Sequence, residues 1–382
     1  MKLALVHRRF GLDGGTERFL EGLTRGLHER GHDIEIYCAD VDPRFRRTRV
    51  ASFRALLGKG PSAILRALLL FASAALRVNR RRYDAVLHLG RTGPRDVYRA
   101  GGGCHRTWFD LLRSHATGTV ERWSLEWSLK HRFLLWHERR ALASSTVVVP
   151  SERAKDDLVA AYGAAAGGVR VIPNGTDLDR FHPKGRSLFF QDTRAALGLR
   201  PEELVLLFVG SDFWRKGLDS VLHALTKLES GHEDLRLLVV GGDRRRDRFA
   251  AQAEALGLRG HVTFLPGHDA PEKLYAASDL VVLPTRHDPF ANVTLEALAC
   301  GVPVVTSGCN GAVEAIADCE AVRVVEDPND AAGIAAAIDE LLDPSRAPEL
   351  RAAARATAER SGEGPAVARW ETLLAEVGRD HE

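Results

Sequence analysis

The sequence predicts an α/β protein of two parallel-sheet units. Three observations carry this: a length of 382 residues, short apolar runs alternating with longer helical patterns in both halves, and a strand-to-turn junction near the middle. A chain this long exceeds one ordinary core and suits two domains of roughly 150 to 200 residues, which implies a cleft. A hydrophobic content of 45%, a charged content of 27% and 35 glycines describe a globular chain with many tight turns, not a disordered one.

In the first half, strand-like runs fall at Lys2 to His7, Ile34 to Cys38, Ala85 to Leu89 and Thr146 to Pro150. In the second half they fall at Leu204 to Val209, Leu235 to Val240, Val262 to Phe264, Leu280 to Pro284 and Pro303 to Thr306. Between the halves, Val171-Ile172 reads as a strand and Pro173-Asn174-Gly175-Thr176-Asp177 as the turn that joins the domains. The expected division is residues 1–173, residues 174–362 and a terminal helix over 363–382 that packs back across the junction.

Other features set bounds. The five cysteines, Cys38, Cys104, Cys300, Cys309 and Cys319, form an odd set without a C-x-x-C pair, which argues against a disulfide framework or zinc site and for a reducing cytoplasm. The apolar run Leu3 to Val6 is too short for a signal-peptide core, and the ten residues Ala67 to Leu76 fall short of the roughly 20 that span a bilayer. The net charge of +2 says little, because the basic residues are unevenly spread.

Open parallel sheets bind ligands beyond the carboxyl ends of their strands, so the loops there carry the candidate chemistry. Gly11-Leu12-Asp13-Gly14-Gly15-Thr16 precedes an apolar-periodic helix, and its glycines would let a ligand anion approach the helix start; a plain strand-to-helix turn explains it equally well. It lacks the G-x-G-x-x-G spacing of a nicotinamide site. Gly210-Ser211-Asp212-Phe213-Trp214-Arg215-Lys216-Gly217 offers Arg215 and Lys216 to a diphosphate; solvated loop cations are the bland reading. In His287-Asp288-Pro289-Phe290-Ala291-Asn292-Val293-Thr294-Leu295-Glu296, a turn leads into a helix from about Thr294. Asp288 and Glu296 then lie beside the amides of Phe290, Ala291, Asn292 and Val293, an arrangement suited to sugar and ribose hydroxyls near a phosphate. The alternatives are a helix-start acid and an exposed helical glutamate. Gly308 to Glu314 brings Asn310, Gly311 and Glu314 to the same strand ends.

Together these residues resemble family 4 of the retaining glycosyltransferases, which have the GT-B fold of two Rossmann-like domains with parallel sheets facing across a cleft. The resemblance runs through Gly14-Gly15, Pro173-Asn174-Gly175, Arg215-Lys216-Gly217, the acid-x7-Glu pair and Gly301-Val302-Pro303-Val304. It implies that the second domain binds a nucleotide-sugar, with Ser211, Arg215 and Lys216 at the diphosphate, Asp288 at the transferred sugar and Glu296 at the ribose. The family usually has Glu where this chain has Asp288, one methylene shorter. A narrower similarity, to lipopolysaccharide core glucosyltransferases, rests on Gly210-Ser211-Asp212-Phe213 and on Asp96-Val97-Tyr98-Arg99-Ala100-Gly101-Gly102-Gly103-Cys104-His105-Arg106. Relatives often carry an acid near Gly102; its role here would pass to Asp96, His105 or another group. Retention needs no protein nucleophile, because the departing phosphate can take the acceptor proton on the same face, and cations such as Arg215 and Lys216 can replace a metal. No metal or cofactor is expected, and the donor implied is UDP-glucose.

From Pro43 to Tyr83 there are eleven Lys or Arg and no Asp or Glu. Within this run Ile64, Leu65, Leu68, Leu69 and Ala72 follow a helical pattern. Trp108, Trp123, Trp127 and Trp136 stand among Arg106, Arg113, Arg122, Lys130, Arg132, Arg139 and Arg140. Such mixtures suit an anionic membrane surface; nucleic acid is the weaker alternative, and helices packed on their own domain the plain one. The expectation is a cytoplasmic hexosyltransferase, peripheral on the membrane, that moves glucose from UDP-glucose to a lipopolysaccharide core heptose or similar glycolipid. An exopolysaccharide lipid intermediate, a UDP-N-acetylglucosamine epimerase of the same fold, and a non-enzymatic binding module stand as alternatives.

Overall fold

The computed structural model describes the chain except for residues 12–13, 46–48, 91, 94–95, 117, 167, 229–233 and 380–382, and the side chains of 63, 120–122 and 164. The Leu12-Asp13 part of the first loop, Arg46 and Arg47 of the basic run, and the Arg122 side chain therefore lie outside the described residues. The chain divides into two compact units, Met1–Asn174 with Glu363–Glu382 and Gly175–Gly362.

In chain order the first unit contains β1 (Lys2–Val6), β2 (Arg9–Phe10), α1 (Gly15–Glu29), β3 (Asp33–Cys38), β4 (Asp40–Val41), β5 (Ser52–Ala55), α2 (Ala63–Arg77), β6 (Ala85–Leu89), β7 (Val97–Arg99), α3 (His105–His115), α4 (Thr119–Glu126), α5 (Leu129–Ser144), β8 (Thr146–Val149), α6 (Glu152–Tyr162) and β9 (Arg170–Val171). Seven strands form a parallel sheet in the order β5-β3-β1-β6-β7-β8-β9. Its order reverses between β1 and β6, the position where such sheets take ligands.

The second unit contains α7 (Lys184–Ala196), β10 (Leu204–Val209), α8 (Leu218–Leu225), β11 (Leu235–Val240), α9 (Arg246–Ala255), β12 (Val262–Leu265), α10 (Pro271–Ala277), β13 (Leu280–Leu283), α11 (Asn292–Ala299), β14 (Val304–Ser307), α12 (Val313–Ile316), β15 (Val322–Val325), α13 (Ala331–Leu341) and α14 (Ala347–Glu359). Its six strands are parallel in the order β12-β11-β10-β13-β14-β15, with the reversal between β10 and β13. Strands covered by helices on both faces read as continuous apolar runs, and Val205 to Phe208 and Leu280 to Leu283 are fully buried for that reason. Helix starts are written locally: Ser151 accepts from the Ala154 amide at 3.1 Å, and Asp330 from those of Ala332 and Gly333.

The terminal helix, α15 (Glu363–Arg379), returns to the first unit and packs on α1. Trp370 is 1% exposed and meets the Phe19 ring edge-on at 5.8 Å, while Arg25 pairs with Glu363 at 2.8 Å. Asn174, expected in the second domain, belongs to the first, where its side chain accepts a hydrogen bond from Arg99.

Candidate functional site

The reversal between β10 and β13 brings the loop after each strand to one place. After β10, Gly210 donates its amide to the Val240 carbonyl and Asp212 takes a left-handed conformation, φ 60°. Phe213 is then driven fully inward against the Phe208, Phe249 and Phe264 rings. Its amide donates to Asp243 at 2.6 Å. The loop ends at Gly217, with φ 83°, where a Cβ would collide with the Pro284 carbonyl; only glycine fits. The Arg215 carbonyl accepts from the Arg286 amide at 2.8 Å and the Thr285 hydroxyl at 3.0 Å, which ties this loop to the one after β13.

This stitching places Lys216 against Asp288. The two side chains, 9% and 8% exposed, form a buried ion pair, and Arg215 stands 3.5 Å from the same carboxylate while donating to the His287 carbonyl at 3.0 Å. Burial pulls the Lys216 ammonium below the ordinary lysine value, against the attraction of Asp288 and with the repulsion of Arg215. Burial works against the Asp288 charge as well, yet Lys216 and Arg215 together hold its carboxyl below the usual range. Lys216 is thus no solvated loop cation. Its charge is fixed in a dry place, where it acts on an anion far more strongly than in water.

Glu296, inside α11, is 4% exposed and accepts from the Tyr275 hydroxyl at 2.8 Å, so the reading as an exposed helical residue fails. The helix begins at Asn292 rather than Thr294. Two of the four amides assigned to a ligand are committed: Phe290 donates to Asp288 at 3.1 Å and Ala291 to the Asn310 side chain at 3.0 Å. Asn310 also accepts from the Ala312 amide at 3.0 Å, and its backbone bridges that of Asp288, so it braces the loop. The other two residues of the expected cradle, Asn292 and Val293, open α11, and Ser211 and Glu314 are exposed.

In the first unit the start of α1 already holds an anion. Glu17 folds back over Gly14, where a Cβ would collide with its carboxylate, and lies 3.7 Å from His7. Burial acts to raise the Glu17 carboxyl, but His7, its own backbone amide and Arg8 bring it below the ordinary range. Gly14 therefore leaves room for a carboxylate at the helix start, where the dipole favours negative charge.

Asp96 does not join a site. It precedes β7, at the amino end of the strand, accepts from the Val86 amide at 2.8 Å and pairs with Arg80, which pins β6 to the next strand. His105 opens α3 and is 6% exposed. Its amide donates to Glu138 at 2.6 Å, and its ring stacks on His131 with 3.1 Å between nitrogens. Glu138 also accepts from the Arg106 amide and the Tyr162 hydroxyl, and so anchors the loop that carries His105. Nothing in the pattern of that loop pointed to Glu138, which lies a helix away. Two Asp-x-Asp triplets are otherwise engaged: Asp42 by Arg44, which holds its carboxyl at about 2, and Asp177 by the amides of Asp179 and Arg180.

Residues 189–361 match the family of glycosyl transferases group 1, and residues 13–180 match glycosyltransferase family 4. The protein has the GT-B fold of the group 1/family 4 glycosyltransferases. Among solved structures it is similar to WaaG, a glycosyltransferase involved in lipopolysaccharide biosynthesis, with a TM-score of 0.82, 24% identity and coverage of 97% and 99% of the two chains. It is also similar to Alr3699/HepE of Anabaena in complex with UDP and glucose, with a TM-score of 0.74, 20% identity and coverage of 98% and 100%. Among curated proteins, the D-inositol 3-phosphate glycosyltransferase of Mycobacterium sp. (strain KMS) is 36% identical over 214 residues, 54% of this chain and 47% of the relative. The chain thus matches about half the length of that relative. The protein of the same description from Xylanimonas cellulosilytica is 29% identical over 400 residues, 95% of this chain and 92% of the relative.

Asp288→Asn leaves Lys216 and Arg215 without their buried counter-charge and should cost about 3–5 kcal/mol in urea unfolding at neutral pH. Because the folded carboxyl lies below its ordinary 3.8, Asp288 contributes stability above that pH and loses it as pH falls through the folded value. The difference between wild type and variant should shrink with acid; a difference constant from neutral pH to pH 3 would contradict the ion pair.

Proposed function

We propose that this protein is a retaining, metal-independent glycosyltransferase whose second unit binds a UDP-hexose and whose first unit receives the acceptor. The observation that carries this reading is the buried pair of Lys216 and Asp288, with the partly exposed Arg215 beside it, at the reversal of the second sheet. Two fixed cations there can neutralise the charge that grows on a departing diphosphate, which is the main electrostatic demand of glycosyl transfer. Asp288 and Glu296 then hold sugar and ribose hydroxyls, and the departing phosphate takes the acceptor proton on the same face. HepE, similar in fold and in complex with UDP and glucose, supports the choice of UDP-glucose as donor.

For the acceptor, a glycolipid of the lipopolysaccharide core type is the first reading, supported by the likeness to WaaG. A phosphorylated cyclitol is the second, supported by the D-inositol 3-phosphate glycosyltransferases among the relatives. A lipid acceptor fits the surface of the first unit. Leu65, Leu68 and Leu76 form an exposed stripe on α2 beside Arg66 and Arg77, and Trp123, Trp127, Leu129 and Trp136 are exposed around α4 and α5 beside Lys130, Arg132, Arg139 and Arg140. Phe71 joins the two groups, 5.7 Å from the Trp136 ring. Apolar and basic side chains mixed in this way suit an anionic lipid surface. No helix among the described residues is long and apolar enough to cross a membrane.

Thermal melting with UDP, GDP, ADP and their sugars tests the donor. A ligand at 100 times its dissociation constant stabilises by about 2.7 kcal/mol; UDP should do so and Lys216→Met should remove the effect, whereas no shift with any nucleotide contradicts the reading. Because burial lowers the Lys216 pKa from 10.5, UDP affinity should weaken as pH rises through a value below 10.5, and that step should vanish in Lys216→Met. Transfer assays should keep their rate under chelation; loss of rate restored by magnesium or manganese contradicts metal independence. Co-sedimentation with liposomes should require anionic lipid and fall with salt, while equal binding to neutral vesicles counts against the membrane face.

A further inference from the structure

Arg99 ends β7 at the carboxyl edge of the first sheet, paired in register with Leu89 of β6 and Val148 of β8. It is 4% exposed, and its guanidinium lies 3.7 Å over the Phe19 ring of α1. Asn174 accepts from Nη2 at 2.9 Å, which uses one of five N–H groups. No carboxylate among the described residues forms an ion pair with it, whereas Arg80, Arg106 and Arg113 of the same unit each have one. Burial alone acts on this guanidinium and draws it down to about 9, so it stays charged at neutral pH.

A buried charge that no described carboxylate balances is costly, and an anion from outside the chain would offset that cost. The local sequence makes room for it. A Cβ on Gly101 would collide with Nη1, so the glycine lets the guanidinium stand where it does. The next residue, Gly102, is exposed and faces open space. The start of α1 cannot serve in its place, because Glu17 already fills it.

We infer that Arg99 forms an anion subsite in the first unit that binds a phosphate monoester carried by the acceptor. The inference rests on the transferase reading and narrows its acceptor to an anionic sugar or cyclitol. Phe19 holds the guanidinium plane from one side and Asn174 fixes its rotation, which leaves its remaining N–H groups for two anion oxygens, the geometry in which arginine exceeds lysine.

Phosphorus NMR of the full chain, saturated with UDP and given millimolar inorganic phosphate, tests this. UDP fills the site of Lys216 and Arg215, and its own resonances report that site and the fold separately. The phosphate resonance should broaden with wild type, stay narrow with Arg99→Gln and broaden weakly with Arg99→Lys, with affinity lower by about tenfold or more in the glutamine variant. If Arg99→Gln does not fold, the comparison of Arg99→Lys with wild type decides. Added acetate that displaces phosphate marks a subsite for any small anion, carboxylates included; acetate without effect marks a phosphate subsite. A narrow phosphate resonance with wild type, or equal broadening in wild type and the variants, overturns the inference. Narrow UDP resonances with a phosphate response that depends on Arg99 would instead sink the donor reading alone.

Discussion

Lys216 and Asp288 face each other in a place where neither could remain charged alone. The ammonium loses hydration that only an opposite charge can replace, and Arg215 adds a second positive charge that Asp288 must also balance. Much of the local structure of the second unit keeps this arrangement fixed. Phe213 anchors the first loop in the core, Gly217 lets the chain turn beneath Pro284, and the Arg215 carbonyl joins the loop to Thr285 and Arg286. Asn310 braces the far side by holding the Ala291 amide. Charge held in this way needs little reorganisation when a diphosphate arrives, which is the condition under which electrostatics contributes most to catalysis.

The two units use one topology for different electrostatic ends. Each sheet reverses order beside its first long strand, and each places basic side chains at the strand ends there or nearby. In the second unit the cations have a carboxylate of their own, which a ligand must compete with or share. In the first unit Glu17 lies at the helix start, and one deep cation, Arg99, has no ion pair among the described residues. A donor that carries two phosphates and an acceptor that carries one would fit that difference.

The alternation of apolar runs with helical patterns made the parallel sheets legible, because strands buried on both faces must be apolar throughout. Leu204 to Val209 and Leu235 to Val240 are strands over those same residues. β7 was less visible as a strand, since Tyr98 and Arg99 interrupt the apolar pattern, and β5 and β15 are short with partly exposed faces. Loop positions after strands identified Lys216, Asp288 and Glu296 as residues that could meet. What a linear pattern does not contain is which hydrogen bonds are already made. The amides of Phe290 and Ala291 looked open but serve Asp288 and Asn310, and Gly14 before α1 looked like part of a ligand cradle but makes room for Glu17. Asp96 looked like a substitute acid, whereas its place at the amino end of β7 makes it a clamp between strands. The weight of Arg99 was equally invisible, because it lies in an ion pair that no described residue makes with it.

The central claim is that Lys216 and Arg215, after the end of β10, form the diphosphate grip, and a crystal structure of the protein with UDP tests it most directly. The account predicts phosphate density within hydrogen-bonding distance of Lys216 and Arg215, with the Lys216 ammonium shared between phosphate and Asp288 or released from the carboxylate. UDP bound elsewhere, with the ion pair of Lys216 and Asp288 unchanged and no phosphate beside it, would contradict it.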